Sequence, residues 1–174
     1  MTLNIGAHDF TTLIPAIVDA VRRDMPPEIR VACDVQSDAD KVNCDVHLIE
    51  AVLKNLLYNA SRYARHGIGV TFSARDGVNQ LLVDDDGPGI PEQDRKRAFE
   101  SFVQLDRTRN KKTGFGLGLA IVKRAIEWHG GAVSISESPR GGARFSATWP
   151  VNMATTRRMR GRDHGGLRDA PRAG

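Results

Sequence analysis

Residues 48–63, LIEAVLKNLLYNASRY, admit one regular structure. At about 100° per residue, Ile49, Val52, Leu53, Leu56, Leu57 and Ala60 fall on a single apolar face. Asp45 stands just upstream as the N-cap, its carboxylate placed to accept from the first unpaired amides. Asn55, Asn59 and Arg62 follow one another by a helical turn, so they form one row at the edge of the stripe, with Tyr63 at its border. Two carboxamides and a guanidinium beside a buried face are costly unless something polar meets them. Bulk water would meet them as well as a ligand does, so this helix alone leaves both readings open.

Two further stretches decide. Leu81-Leu82-Val83-Asp84-Asp85-Asp86-Gly87-Pro88-Gly89-Ile90 is an apolar strand running into an acidic, glycine-rich turn. Residues 113–123, TGFGLGLAIVK, are a glycine loop opening into an amphipathic helix. In chain order, N-x-x-x-N-A, D-x-G-x-G-I and G-x-G-L-G-L resemble the ATP-binding domain of sensor histidine kinases, in the superfamily shared with DNA gyrase, heat-shock chaperone and mismatch-repair ATPases. They are similar to its N, G1 and G2 boxes, and Phe99-Glu100-Ser101-Phe102 resembles the F box. Each motif is weak alone. Together, in this order, they carry a resemblance that covers residues 9–151.

The formal net charge of +4 hints at nucleic acid, but its placement argues otherwise. Residues 157–174 hold six arginines and two aspartates, so the rest of the chain is neutral overall. The basic balance belongs to a tail, 152–174, whose lack of apolar side chains predicts disorder. No specific nucleic-acid binding is expected of the fold. With 174 residues, 40% of them hydrophobic, the remainder suits one domain with an ordinary core. Cys33 and Cys44 have no His or Cys at zinc spacing and read as reduced core or strand residues. No apolar run approaches the ~20 residues a membrane span needs, and the first residues lack the basic and apolar regions expected of a signal peptide. The expectation is a cytoplasmic domain without a transmembrane segment, its full-length parent free or anchored at the inner face of the cell membrane.

Along the chain, residues 1–8 read as loose, and 12–24 as a helix capped by Thr11, with Pro15 in its first turn. Strands are expected over 29–35 and 41–44, then 67–75 and 80–84 around a turn at Asp76-Gly77, and 132–137 and 143–149 around a second turn. Pro91 opens a short helix over 92–99, and 117–128 forms another that ends at Gly130-Gly131. Residues 103–113 are polar, cationic and aperiodic, and read as a mobile loop. This inventory predicts an α+β two-layer sandwich. The resemblance implies the same: a mixed, mostly antiparallel sheet with three main helices on one face and nucleotide between helices and lid.

The resemblance also implies roles. Asp85, two before Gly87, is the adenine reader; Gly87 and Gly89 let backbone approach the base, Ile90 lines its pocket, and Asp84 and Asp86 are bystanders. Gly114, Gly116, Leu117 and Gly118 bring amides to the phosphates at a helix start. The loop is not a P-loop, since no Gly-Lys-Ser/Thr follows. It departs from the family pattern in having one glycine before the variable position, held here by the bulky Phe115. Asn55 and Asn59 offer neutral oxygens to Mg²⁺, Arg62 and the lid residues Arg109 and Lys112 contact phosphate, and Tyr63 stacks near the base. Phe102 belongs to the same nucleotide site. Asn59, Asn55 and Arg109 are the catalytic set.

Related ATPases place a water-activating glutamate four before the magnesium asparagine; this chain has Asn55. An amide is a poor general base, so phosphoryl transfer is expected over hydrolysis. The cofactors are ATP and Mg²⁺, and the partners are a phosphoacceptor histidine hairpin and a downstream response regulator. His8-Asp9-Phe10-Thr11-Thr12-Leu13 echoes an acceptor motif but lacks its proline and leaves no room for a hairpin before Asn59. His47, His66 and His129 read as structural or exposed. Two alternatives remain: an anti-sigma-factor-type serine kinase, and a non-catalytic nucleotide-gated regulatory module.

Overall fold

The computed structural model of the chain describes residues 2–37, 41–100 and 117–152. The expected loop 103–113, the tail from 153 and the site candidates Phe102, Arg109, Lys112, Gly114 and Gly116 lie outside the described residues.

Strand β1 (Gly6–His8) precedes helix α1 (Phe10–Arg22). The cap is Asp9 rather than Thr11: its carboxylate accepts the Thr11 amide at 2.9 Å and the Thr11 hydroxyl at 2.6 Å. A carboxylate upstream of a hydroxyl takes the cap and moves the helix start back. Pro15 consequently lies inside the helix, beyond its first turn. Residues 6–8, expected loose, pair antiparallel with β3 (Val42–Cys44), Gly6 opposite Cys44. Three residues with one apolar side chain give no periodic signal, and only the partner strand orders them.

Strand β2 (Arg30–Ser37) stands between these elements, and helix α2 (Val46–Tyr63) follows β3. Asp45 caps α2, accepting from the Leu48 amide, and the six apolar residues named above are all buried. The strands β4 (Gly67–Arg75) and β5 (Val78–Asp85) turn at Asp76 and Gly77, both with positive φ (52° and 77°), as a two-residue hairpin demands. The helix expected over 92–99 divides into α3 (Glu92–Arg95) and a 3-10 turn, Arg97–Phe99. Helix α4 (Gly118–Trp128), β6 (Ala132–Glu137) and β7 (Ala143–Pro150) complete the described chain.

Five strands form one sheet in the order β2-β4-β5-β7-β6. β2 runs parallel to β4, and the other pairs are antiparallel. Period-two alternation sends Ile68, Val70 and Phe72, Leu81 and Val83, and Phe145, Ala147 and Trp149 to the covered face. Helices α1, α2 and α4 cover that face. Phe10 of α1 packs 4.7 Å from Phe72 between ring centroids, and Trp149 closes the cluster. Asp85 continues the inward row of Leu81 and Val83, so strand geometry alone carries a carboxylate into the interior. Among the described residues, no helix is long and apolar enough to cross a membrane.

Candidate functional site

Asp85 is the last residue of β5 and only 2% exposed. Its Oδ1 accepts the Gly87 amide at 2.8 Å and the Ala143 amide at 3.1 Å. Among the described residues no donor meets Oδ2, which leaves it open to a ligand's N–H. Burial pushes the Asp85 carboxyl above its ordinary pKa; the two amides oppose that shift, and the Asp86 and Asp84 charges add to it. A desolvated carboxylate with one fixed and one open oxygen is a directional acceptor.

Glycines let other backbone reach this carboxylate. A Cβ on Gly87 would run into the Tyr63 carbonyl at the end of α2, with Asp85 Oδ1 3.0 Å away. A Cβ on Gly142, in the β6–β7 turn, would meet Asp85 Oδ1 and stand 2.5 Å from the Gly87 nitrogen. Three elements, β5, α2 and the β6–β7 turn, therefore converge on Asp85. Gly89 has φ 75°, outside the reach of most L side chains, and Ile90 packs against the core.

At the other end of the α2 row, the Asn55 side-chain amide donates to the Ala51 carbonyl at 2.8 Å, which orients its oxygen. That oxygen faces α4: a Cβ on Gly118 would stand 2.9 Å from Asn55 Oδ1. Among the described residues no side chain caps α4, and its first turn holds no acid. Its leading amides are thus open to an anion beside the Asn55 oxygen. Asn59, half-buried between Asn55 and Tyr63, has no side-chain partner among the described residues. Arg62 and Leu117 are exposed. The structure thus gathers Tyr63, Asp85, Gly87 and Gly89 of the expected set around one turn, and sets Asn55 against Gly118 farther along α2.

Two aspartates read as bystanders have work of their own. Asp84 holds Arg144 in a two-point ion pair, 2.8 Å at Nε and 2.9 Å at Nη2. Asp86 accepts the backbone amides of Arg65, His66 and Gly67 at 2.7–3.1 Å. Burial would raise its carboxyl, yet those amides outweigh it and hold the pKa below the ordinary value. Three acids in a row carry no sign of this division, because it follows from which way each side chain leaves the strand end. Gly142 and Ala143 were also missed: Gly141-Gly142 reads as a turn, while only Gly141, at φ 96°, has turn geometry that needs glycine. His129 is fully buried and structural. It donates through Nδ1 to Ala125 O at 2.7 Å and accepts the Asp45 amide at Nε2 at 3.0 Å, joining the end of α4 to the start of α2.

Residues 44–153 match the family described as histidine kinase-, DNA gyrase B-, and HSP90-like ATPases. The adaptive-response sensory kinase SasA of Synechococcus sp. (strain CC9902) is 37% identical over 126 residues, 71% of this chain and 33% of that protein. The sensor protein RstB of Escherichia coli (strain K12) is 45% identical over 108 residues, 62% of this chain and 25% of that protein. Full-length ShkA, whose crystal structure holds AMPPNP, superposes with TM-score 0.76 and 31% identity over 86% of this chain and 32% of its own. The chain thus spans a quarter to a third of the length of these relatives.

Proposed function

Because the chain belongs to the histidine kinase-, DNA gyrase B-, and HSP90-like ATPase family, we propose that it is the ATP-binding catalytic domain of a two-component sensor histidine kinase. It passes the γ-phosphoryl of ATP to a histidine on a dimerisation and phosphoacceptor hairpin of its parent protein or of another chain. One observation carries this reading: a single helix faces both ends of the site. The Tyr63 carbonyl of α2 lies against the Asp85–Gly87 turn, and its Asn55 oxygen lies against Gly118 at the start of α4. Eight residues separate them, a rise of about 12 Å, with Asn59 between.

In this reading the open Asp85 oxygen accepts the adenine amino group. Guanine presents an oxygen there, and two facing acceptors would leave a buried group unpaired at about 1–3 kcal/mol. Gly89 and Ile90 border the base, Tyr63 stacks near it, and Phe102 belongs to the same site. The amides of Leu117 and Gly118, with Gly114 and Gly116 before them, hold the phosphates, and Arg62, Arg109 and Lys112 neutralise them. Asn55 and Asn59 present oxygens suited to Mg²⁺, which binds oxygen ligands and keeps several of its waters; when bound it offsets charge on the phosphates. The acceptor imidazole attacks the γ-phosphorus in line, and ADP departs. Asn55 stands where a water-activating glutamate would be required, so hydrolysis is slow and transfer wins. The domain works at the cytoplasmic face, upstream of a response regulator.

Mixing the chain with ATP, Mg²⁺ and a separately made acceptor hairpin should give acid-labile phosphate on the hairpin histidine. Asp85→Asn should abolish nucleotide binding, and Asn59→Ala should remove its Mg²⁺-dependent portion. Unchanged affinity in both variants would overturn the reading.

A further inference from the structure

We infer that Asp86 is a positioning residue of the nucleotide site, tying the end of α2 to the base-reading turn; this rests on the function proposed above. Helix α2 stops at Tyr63, and Ala64 leaves it with φ −59° and ψ 144°. The next three amides, of Arg65, His66 and Gly67, have no helical acceptor left to them. All three turn to one carboxylate: Arg65 and His66 to Oδ1 at 2.7 and 3.1 Å, His66 and Gly67 to Oδ2 at 3.1 and 3.0 Å. Successive amides converging on an anion form a strong and directional cradle.

The placement gives this cradle its consequence. Asp86 is the covalent neighbour of Asp85 and Gly87, whereas the three amides are the covalent continuation of the helix that carries Asn55, Asn59 and Tyr63. Gly87 already lies against the Tyr63 carbonyl too closely for any side chain. Asp86 therefore fixes the distance between the two walls that a nucleoside triphosphate must touch at once. Asp85 itself is held independently, by the Gly87 and Ala143 amides. Loss of Asp86 leaves the floor intact and frees the wall.

That separation is measurable with two ligands. Adenosine rests on the Asp85 floor and meets the wall only at Tyr63, the end of α2 that Gly87 packs against, whereas MgATP also needs Asn55 and Asn59 farther along it. In calorimetric or NMR titrations, Asp86→Ala should weaken MgATP about tenfold more than adenosine. Asp86→Asn, which keeps one acceptor oxygen for Arg65 and His66, should fall between it and the parent chain. Equal losses for the two ligands, or none for either, would overturn the inference. If Asp86→Ala does not fold, Asp86→Asn decides by the same ratio. The parent chain and Asp85→Asn run alongside: a parent chain that binds neither ligand sinks the proposed function, while normal binding by Asp86→Ala with loss in Asp85→Asn sinks only the role of Asp86.

Discussion

Gly142→Ala is the sharpest single test of how the Asp85 carboxylate is held. The added methyl would meet Asp85 Oδ1 and stand 2.5 Å from the Gly87 nitrogen and 2.6 Å from the Asp85 carbonyl oxygen. Two of these three atoms are backbone, so no side-chain rotation relieves the clash. Either the β6–β7 turn withdraws, taking the Ala143 amide with it, or the Asp85–Gly87 turn deforms. Both outcomes break a hydrogen bond to a charged acceptor, which costs about 1.5–3 kcal/mol. If that cost falls on the bound state, ATP affinity drops by about ten- to a hundred-and-fiftyfold. Gly141→Ala supplies the control. Its methyl meets nothing within 4 Å, but its φ of 96° strains any L side chain. It should destabilise the fold by about 1–3 kcal/mol and leave nucleotide affinity unchanged. Thermal melts of both variants, with ADP titrations at a temperature where both are folded, separate the two effects. Equal affinity losses, or a Gly142→Ala chain that binds like its parent, would refute the argument.

His129 should make stability depend on pH. Burial pushes its pKa below the ordinary 6.5, against the Ala125 carbonyl and the Asp45 charge, which act the other way. The unfolded chain takes up a proton that the folded chain refuses, so stability is full above about pH 6.5 and declines as pH falls below it. Urea melts between pH 7.5 and 5.5 should show this slope, and His129→Gln should flatten it. In the core, Leu56→Ala removes a fully buried side chain from the α2 face. It should cost about 2–5 kcal/mol in denaturant unfolding.

Much of this protein was legible before any fold was known, because short-range physics writes it into neighbouring residues. Apolar spacing determined α2 and its cap at Asp45, the Asp76-Gly77 turn and the alternating strands, and the motif order determined the family. Those signals come from side chains a turn or a pleat apart, so a linear reading reaches them. What only the tertiary structure decided is who meets whom across the chain. β1 exists because β3 pairs with it, and Gly142 matters because the β6–β7 turn lands on a carboxylate 57 residues earlier in the sequence. Asp84, Asp85 and Asp86 are chemically identical. One binds an arginine, one accepts two amides at a single oxygen, and one gathers the amides beyond α2. Strand direction and the neighbours brought by folding assign those roles, and both come from long-range packing that identical adjacent residues cannot encode.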